Sequence, residues 1–568
     1  MFELTKYQKK KYDHICRFLI SKIDVRDPKT YLQLLIGYAG VGKSTLIKYT
    51  VESNIIPQNR IICVAPTHKA RKILQNLLPD IQTTTLASFL SKKPDGRLAA
   101  KKNFIYENSL DNKDKNLVNG FIIIDEASMI DNYDFDKIVE YARLNLAKVL
   151  FVGDNLQLPS PGQRLSVEGE YMVKSHSNVF SLENIIVMKK IVRQSTDNPI
   201  VKEVCDKIRQ NIDSQIDLYE HKTIINHKEN TGVVFVNDQK EFDASIVKTM
   251  TNCKELNKIR VLSYTNKKVG EYNKLIRSGF GYQDTFVKGE LLTGYNTLAS
   301  YSMRKSPNLK NITPIIENGQ DYIIEDLKYM TNYKLSTKAL TQSNLAGYLL
   351  TLRLIDVMGS IPNRTIDLDN KSVEGYETTK LFIVDVKSKN NTKLLESLTR
   401  MAIAINKSYT KDMYVKYMSI RNKIAFSESI YHFRDKILND IEFKKLYPEL
   451  FTKINKPPTK NNDSRGDNIL ADAFPEINNI DYNKMSSDDE YKDWFRIIEK
   501  DIDYGYSITI HKSQGSTYDI VFLDEKDTNI IKDKWNHTYG KMENRSRERN
   551  KLKYVAFSRA KNMVISLY

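Results

Sequence analysis

The stretch GYAGVGKST, from Gly37 to Thr45, directly follows an apolar run that begins at Leu32. The spacing of its glycines, lysine and serine is that of a phosphate-binding loop, because residues without a Cβ let backbone N–H groups close around phosphate oxygens. A helix that begins at the lysine would add a dipole that favours anions. We therefore predict a nucleotide site in which Lys43 meets the β- and γ-phosphates and Ser44 binds Mg²⁺. Its residues are Gly37, Gly40, Val41, Gly42, Lys43, Ser44 and Thr45.

Two further apolar runs end in polar residues that suit phosphate chemistry. FIIIDEASM ends with Asp125 and Glu126, and FVGDNLQLPSPGQ supplies Asp154 and Gln157. In such an acidic pair, Asp125 would hold the water shell of the metal ion, and Glu126 would orient and deprotonate the attacking water. The amide of Gln157 would sense the terminal phosphate. A solvated polar turn would look similar, but the upstream phosphate-binding loop favours the functional interpretation.

Two arginines are candidates for the charge that develops on a transferred phosphoryl group. Arg193 lies in MKKIVRQSTDNPI and Arg559 in KYVAFSRAKN. Arginines that converge on this group accelerate the reaction by roughly 10³ to 10⁵. Most arginines are simply exposed at the protein surface, so the assignment depends on the phosphate-binding loop and the acidic pair that occur in the same chain.

The composition limits the class of protein. Lysine and arginine outnumber aspartate and glutamate by 87 to 70 in 568 residues, and the formal charge of +17 indicates a polyanionic partner or a lysine-rich proteome. Four cysteines without CxxC spacing predict neither a disulfide framework nor a zinc site. No apolar run approaches the roughly 18 residues of a membrane span. We expect an intracellular, cytoplasmic protein without membrane contact.

The order of the apolar runs predicts an α/β protein with several domains. In residues 1–185 short β-rich runs alternate with helical stretches, and each run ends in polar residues, as at the carboxyl edge of a parallel sheet. The turn-rich stretch 91–119 interrupts this pattern and is typical of a β-hairpin insertion. A second α/β pattern occupies 186–280 and resumes at 500–568.

The region between these two parts has a different character. Short strands within 281–391 have the spacing of a small antiparallel barrel. Residues 392–499 are predicted to be a helical extension with an exposed linker at 455–468. No cluster with metal-ligand spacing occurs in 392–500, which argues against a fused nuclease.

The chain resembles the superfamily-one helicases, and within them the RecD-like and Dda-like class that moves 5′ to 3′. The resemblance is carried, in chain order, by LTKYQ, GYAGVGKST, APTHKA, TTTLASF, IIIDEASM, VGDNLQLP, IVRQ, ITIHKSQGST and YVAFSRAK. It implies two RecA-like P-loop NTPase domains with ATP between them. It also implies a pin hairpin in the first domain, and a small Src-homology-3-like β-barrel plus a helical insertion in the second.

The resemblance also assigns roles around the nucleotide. Gln8 would read the adenine, and Gly515 would lie at the nucleotide. The catalytic set would be Lys43, Asp125, Glu126 and Gln157 from the first domain with Arg193 and Arg559 from the second, and Ser44 and Asp125 would hold Mg²⁺. ATP would bridge the two domains, so that hydrolysis opens and closes the cleft.

The implied track is single-stranded DNA that crosses both domains. Such contacts follow the backbone, so binding would be nearly indifferent to sequence and strongly dependent on salt. The contacts implied in the first domain are Pro66, Thr67, His68, Lys69, Thr85 and Phe89, and those in the second are His511, Lys512, Gln514, Ser516 and Thr517.

The insertion 91–119 lies where the family carries a pin that splits the duplex. Opening a base pair costs about 1.4 kcal/mol, and stacking a base on an aromatic ring returns roughly 1–3 kcal/mol. Phe104 or Tyr106 would supply that ring. Alternatively, the two aromatic residues form the core of their own hairpin.

We therefore expect an ATP-dependent, Mg²⁺-requiring DNA helicase that acts on single-stranded and forked or tailed duplex DNA as a monomer. A single-strand-binding or replisome protein is an additional candidate partner, and a phage or mobile element is the expected setting. One alternative is a translocase that displaces proteins or remodels junctions without processive unwinding. A non-catalytic DNA-binding scaffold would require broken motifs, and Lys43, Glu126, Gln157 and Arg559 are all present.

Overall fold

The computed structural model describes most of the chain in two compact units. The first comprises Met1–Ser91, Glu107–Asp284 and Gly505–Tyr568, and the second comprises Lys92–Tyr106 and Thr285–Tyr504. The residues described are 4–38, 40–90, 92–94, 104–106, 118–159, 165–168, 171–174, 177–189, 198–214, 218–301, 312–337, 339–355, 378–395, 397–398, 401, 411–428, 500–536 and 540–568.

A six-stranded parallel sheet forms the centre of the first α/β domain. Its central strands are continuous buried runs, as expected where helices cover both faces. In spatial order the strands are Ile185–Met188, Leu32–Gly37, Lys148–Gly153, Phe121–Ile124, Ile61–Ala65 and Gln82–Thr85. The helices are Lys6–Ile20, Lys43–Glu52, His68–Leu77, Leu86–Phe89 and Asn132–Asn145.

A second six-stranded sheet lies in the same unit. It is parallel except for its edge strand Ile224–Asn226. In spatial order the strands are Ile224–Asn226, Thr231–Val236, Ala560–Leu567, Tyr518–Asp524, Ile259–Ser263 and Ser507–Thr509. The helices are Ile200–Cys205 (a π-helix), Asp206–Gln210, Gln239–Thr251, Asn266–Gly279, Ile510–Ser513, Glu525–Thr528 and Ser546–Ser558. The prediction of two RecA-like α/β domains is confirmed.

The boundary predicted between these domains needs a small correction. The strand Ile185–Met188 pairs in parallel with Leu32–Gly37, so the first sheet continues past residue 185. A four-residue edge strand has too short a pattern to be separated from the following domain by sequence alone.

A small four-stranded sheet joins segments of both α/β domains. Tyr171–Lys174 comes after the strand Lys148–Gly153 of the first domain in the chain. It pairs in parallel with Lys541–Glu543 of the second domain. The hairpin partners of these two strands are Leu165–Glu168 and Lys534–Asn536.

The second unit is built on a six-stranded sheet that is mostly antiparallel. A long ribbon, Asp321–Ser336 paired with Thr341–Leu354, forms its centre. In spatial order the strands are Ala425–Phe426, Thr378–Val384, Thr341–Leu354, Asp321–Ser336, Leu291–Gly294 and Ile502–Tyr504. The two-stranded sheet Leu298–Tyr301 with Ile312–Ile316 and the helix Lys411–Arg421 complete its described elements.

The small sheet corrects two predicted bounds. It includes Ala425–Phe426 and Ile502–Tyr504, so it is not confined to 281–391, and the second α/β domain resumes after 504 rather than at 500. Strands of two or three residues leave no periodicity to detect.

The two ends of the excursion 427–500 meet at one point of this unit. The Asp501 backbone N–H donates to the Phe426 carbonyl oxygen at 2.8 Å. The guanidinium of Arg421 donates to both carboxylate oxygens of Asp501 at 2.6 and 2.7 Å, and both side chains are buried. Both bonds come from one guanidinium nitrogen, and charge-assisted hydrogen bonds of this kind are among the stronger side-chain contacts.

The predicted hairpin insertion is present as paired strands. Lys92–Pro94 pairs antiparallel with Phe104–Tyr106, with Lys92 opposite Tyr106 and Pro94 opposite Phe104. This hairpin groups with the second compact unit rather than with the first α/β domain. The predicted linker 455–468 lies outside the described residues.

A buried lysine attaches the first helix to the first sheet. The Lys148 ammonium donates to the carbonyl oxygens of Phe18, Ser21 and Thr30 at 2.6, 2.8 and 2.7 Å. Burial lowers its pKa to about 8. These bonds fix the C-terminal end of Lys6–Ile20. Across the part of the chain that the structure describes, the helices are too short or too polar to cross a membrane.

Candidate nucleotide and nucleic-acid site

The phosphate-binding loop has the backbone that its glycines predict. Gly40 and Gly42 have φ of 83° and 87°, which a residue with a Cβ adopts only with strain. A Cβ on Gly42 would also lie 2.8 Å from Gln8 Nε2. Lys43 begins the helix and donates from Nζ to the carbonyl oxygens of Gly37 and Tyr38 at 2.5 and 3.1 Å. The loop is therefore closed on itself around the lysine.

Gln8 lies against this loop from the first helix. Its Oε1 accepts from the N–H and the hydroxyl of Thr5 at 3.1 and 3.0 Å, and the side chain is buried. This capping arrangement fixes the start of the helix and turns Nε2 towards Gly42. The assignment of Gln8 to adenine stays a prediction.

Asp125 and Glu126 follow the buried strand Phe121–Ile124. The Glu126 N–H donates to Asp125 Oδ1 at 2.9 Å, and Glu126 has a left-handed backbone with φ of 53°. Burial and the neighbouring Asp125 carboxylate raise the pKa of Glu126 to about 7, against the opposing effect of Arg559 and Lys43. Burial also raises the pKa of Asp125. A carboxylate that titrates near neutral pH is suited to general base chemistry.

The residues present fit a magnesium ion that is shared with phosphate oxygens. Among the described residues no group of three or more His, Cys, Asp or Glu side chains is arranged to hold a metal ion. Mg²⁺ needs no such cage, because it keeps several waters and binds one or two protein oxygens besides phosphates. The Ser44 hydroxyl in the first helical turn and the Asp125 carboxylate are oxygen ligands of this kind.

Three side chains from the second α/β domain reach the strand ends of the first. Gln514 Nε2 lies 3.2 Å from Gln157 Oε1, and it also donates towards Ser128 Oγ at 3.3 Å. The Tyr554 hydroxyl donates to Asp154 Oδ2 at 2.8 Å. In addition, Lys551 Nζ lies 3.2 Å from the Asn155 carbonyl oxygen. The predicted Gln157 thus contacts a second glutamine from across the two domains.

Arg559 ends the helix Ser546–Ser558 and is buried. Its guanidinium donates to the carbonyl oxygens of Val555 and Ser516 at 3.2 Å each, and to Ser558 Oγ at 3.0 Å. Its charge lowers the pKa of Glu126, so it acts on the acidic pair of the other domain. Arg193 lies outside the described residues.

Gly515 also lies beside the acidic pair. It has φ of 77°, and a Cβ there would be 3.9 Å from Glu126 Oε1. The second domain therefore presents bare backbone to the carboxylate of the first.

The predicted DNA contacts of the first domain divide into capping and packing residues. Thr67 and Thr85 cap helices, since their hydroxyls accept from Ala70 N and Ser88 N at 3.2 Å each. Phe89 packs edge-on against Tyr141 at 5.0 Å between ring centroids. Pro66 and His68 are half-buried and Lys69 is buried, with the Lys69 ammonium 5.7 Å from the Tyr518 ring.

The second-domain contacts need a correction. His511 and Thr517 are exposed and Lys512 is half-buried, as a surface contact requires. Gln514 and Ser516 are buried, and the Gln514 amide is bonded to the first domain. Their side chains therefore do not face an open groove. Their assignment to DNA rested on their position in the motif, which does not report burial.

Four residues of this site are not predicted by the sequence: Ser128, Tyr554, Lys551 and Tyr38. Tyr554 lies in the helix Ser546–Ser558, five residues before Arg559, so the three- or four-residue spacing that places side chains on one helical face does not link the two. Ser128, Lys551 and Tyr38 offer no sequence signal either.

Comparison with known proteins agrees with this geometry. A model of the AAA domain family matches residues 25–230, which contain the phosphate-binding loop and the acidic pair. The ATP-dependent DNA helicase dda of Enterobacteria phage T4 is 27% identical over 307 residues, covering 52% of this chain and 63% of that protein. The chain is thus similar in sequence to a Dda helicase over about half of its own length.

Two other comparisons cover more of the chain. The uncharacterized protein R530 of Acanthamoeba polyphaga mimivirus is 24% identical over 522 residues, which covers 87% of this chain and 89% of that protein. The crystal structure of Bacteroides Pif1 helicase in complex with ADP-AlF3 and ssDNA has a TM-score of 0.41 and 14% identity, covering 100% of this chain and 92% of that one.

Proposed function

We propose that the protein is an ATP-dependent DNA helicase that moves 5′ to 3′ on single-stranded DNA and unwinds duplex DNA. The observation that carries the proposal is the bridge from Gln157 to Gln514. It joins the strand end beside the phosphate-binding loop to the segment that also carries the exposed His511 and Thr517. A change at the nucleotide therefore has a direct route to a surface that suits a nucleic acid.

The chemistry of the proposed site is phosphoryl transfer to water. Glu126 accepts the proton of the attacking water, which its pKa of about 7 allows. Lys43 and Arg559 stabilise the negative charge that develops on the phosphoryl oxygens. Mg²⁺, held by Ser44 and Asp125, would neutralise charge on the phosphates when bound.

Movement follows from the division of these residues between two domains. The loop, the acidic pair and Gln157 belong to the first sheet, whereas Arg559 and Gln514 belong to the second. A triphosphate that contacts both sides favours the closed cleft, and its hydrolysis removes that preference. Alternate grips on the strand by the two domains would turn this cycle into translocation. The 5′ to 3′ direction rests on the family.

The finer parts of the proposal concern the two insertions. We assign the hairpin Lys92–Pro94 with Phe104–Tyr106 as the pin, with Phe104 or Tyr106 as the aromatic wedge, and the second unit's sheet as a barrel of the Src-homology-3-like kind. Phe104→Ala should then slow unwinding more than translocation, because single-stranded travel needs no wedge. Equal losses in both assays would remove the pin assignment.

The deciding experiment compares duplexes with a 5′ or a 3′ single-stranded tail. The protein should release the short strand only from the 5′-tailed duplex, and only with ATP and Mg²⁺. Unwinding of the 3′-tailed duplex alone would overturn the direction. Displacement of a bound protein from single-stranded DNA without strand release would favour the translocase alternative. Lys43→Ala serves as the inactive control.

A further inference from the structure

Arg209, which has no role in the proposed catalysis, packs against a tyrosine of the phosphate-binding loop. Arg209 belongs to Asp206–Gln210, and neighbouring residues Cys205 and Ile208 pack in the core of the second α/β domain. Its guanidinium carbon is 4.4 Å from the ring centroid of Tyr38. Tyr38 follows directly on Gly37, the first glycine of the loop. The second domain therefore touches the loop through this ring.

The surroundings of Arg209 are unusual for a purely structural arginine. Its side chain is only 8% exposed and is paired with Asp206. Its Nε is buried and has no hydrogen-bond partner among the residues that the structure describes. Leaving a buried donor unpaired is unfavourable. Besides Asp206, the guanidinium contacts the ring face of Tyr38 and the side chain of Tyr554, by a hydrogen bond and with its ring centroid 5.5 Å away.

Both rings are one step from groups of the proposed site. The Tyr38 carbonyl oxygen accepts from Lys43 Nζ at 3.1 Å. The Tyr554 hydroxyl donates to Asp154 Oδ2 at 2.8 Å. Arg209 thus connects the phosphate lysine with the strand end that carries Asp154 and Gln157, without contacting either directly.

We propose that Arg209 is a positioning residue that couples nucleotide binding in the loop to the DNA grip of the second domain. The inference rests on the proposed function. Phosphates that fix the backbone of the loop also fix the Tyr38 ring, and an ordered ring favours the arrangement in which Arg209 stacks on it. By linkage, the stacked arrangement must favour nucleotide binding to the same extent. Arg209 does not meet the phosphates, which separates it from Arg559.

The test measures how much a nucleotide changes the affinity for DNA. Fluorescence anisotropy gives the Kd for a labelled oligothymidine without nucleotide and with a non-hydrolysable ATP analogue, and the ratio of the two is the coupling. Arg209→Gln and Tyr38→Leu should each move this ratio towards one by about 5- to 30-fold, the span from a strong exposed to a desolvated cation–π contact. Kd without nucleotide should stay unchanged in Arg209→Gln.

The variants lie in different domains, so a shared effect identifies the contact. The double variant should lose no more coupling than either single variant, because both remove one interaction. Arg209→Lys should restore part of the ratio, since an ammonium also lies favourably over a ring. Lys207→Gln is the matched control, because it removes a positive charge from the same helix at a side chain that is 42% exposed.

Three results would overturn the inference. If Arg209→Gln has the same ratio of Kd values as the wild-type protein, the contact only packs the interface, even if the variant unfolds at a lower temperature. Additive losses in the double variant would show that the two side chains act separately. A wild-type ratio of one would remove the coupling altogether. Only this third result would also count against the proposed function.

Discussion

Glu126→Gln should stop ATP hydrolysis and at the same time stabilise the protein at alkaline pH. Both effects have one cause, because the site holds an ionised carboxylate that burial and Asp125 disfavour. A pKa that rises from 4.5 to about 7 corresponds to about 3 kcal/mol of disfavoured ionisation at about 1.4 kcal/mol per pH unit. The glutamine side chain is uncharged, so the folded variant does not bear this free-energy cost of ionisation.

The sign of the pH dependence follows from the two states. Below pH 4.5 the carboxyl is protonated in both the folded and the unfolded chain, so it adds no pH-dependent term. Above about pH 7 it is ionised in both, and the folded state bears the whole cost. The wild-type protein should therefore lose stability relative to Glu126→Gln as the pH rises from 4.5 to 7, and the difference should stay constant above.

The assay is thermal unfolding of the nucleotide-free protein at pH 5 and at pH 8. At about 2–4 °C per kcal/mol for domains of this size, the advantage of Glu126→Gln should be several degrees larger at pH 8. Glu183→Gln is the control, because it makes the same chemical change at a side chain that is 71% exposed. ATP hydrolysis should fall at least about 100-fold. An advantage that is equal at both pH values would refute the reasoning.

Three further outcomes follow from the described contacts. Lys43→Ala should abolish DNA-stimulated ATP hydrolysis in a coupled assay while DNA binding persists, and retained hydrolysis would remove the loop assignment. Arg559→Ala should lower kcat far more than ATP affinity, so a pure affinity defect in steady-state kinetics would contradict a transition-state role. Lys148→Met should cost about 2–4 kcal/mol in urea unfolding, because it removes the hydrogen bonds that the buried ammonium donates to the carbonyl oxygens of Phe18, Ser21 and Thr30. The exposed Lys29→Met is its control, and equal midpoints would show that the buried ammonium adds nothing.

The sequence predicts those parts of the site that depend on short, contiguous patterns. The turn at Gly42, the helix that starts at Lys43 and the acidic pair after Phe121–Ile124 are local features, and each lies where the pattern predicts it. The family order of the motifs then predicts that Gln157 and Arg559 come together across two domains. Burial is where this approach fails, since Gln514 and Ser516 occur in a motif but face the protein interior.

Contacts between distant segments left no trace in the sequence. Arg209 and Tyr38 are far apart in the chain, and neither stands out from the other arginines and tyrosines. Lys148 similarly looks like an ordinary surface residue at a strand start until the ends of the first helix and first strand surround it. Single-sequence periodicity reports which face of an element is buried, but not which partner covers it.

The junction at Phe426 and Asp501 gives the second unit an engineering use. Loop length adds only slowly to the entropy of closing a chain, and the contacts described at this junction are made by Arg421, Phe426 and Asp501, which lie outside the exchanged segment. Residues 428–499 should therefore be exchangeable for a short glycine turn or for an unrelated fluorescent domain. Each such chimaera would keep its strand register, and its ATP hydrolysis would report what the native segment contributes to work on DNA.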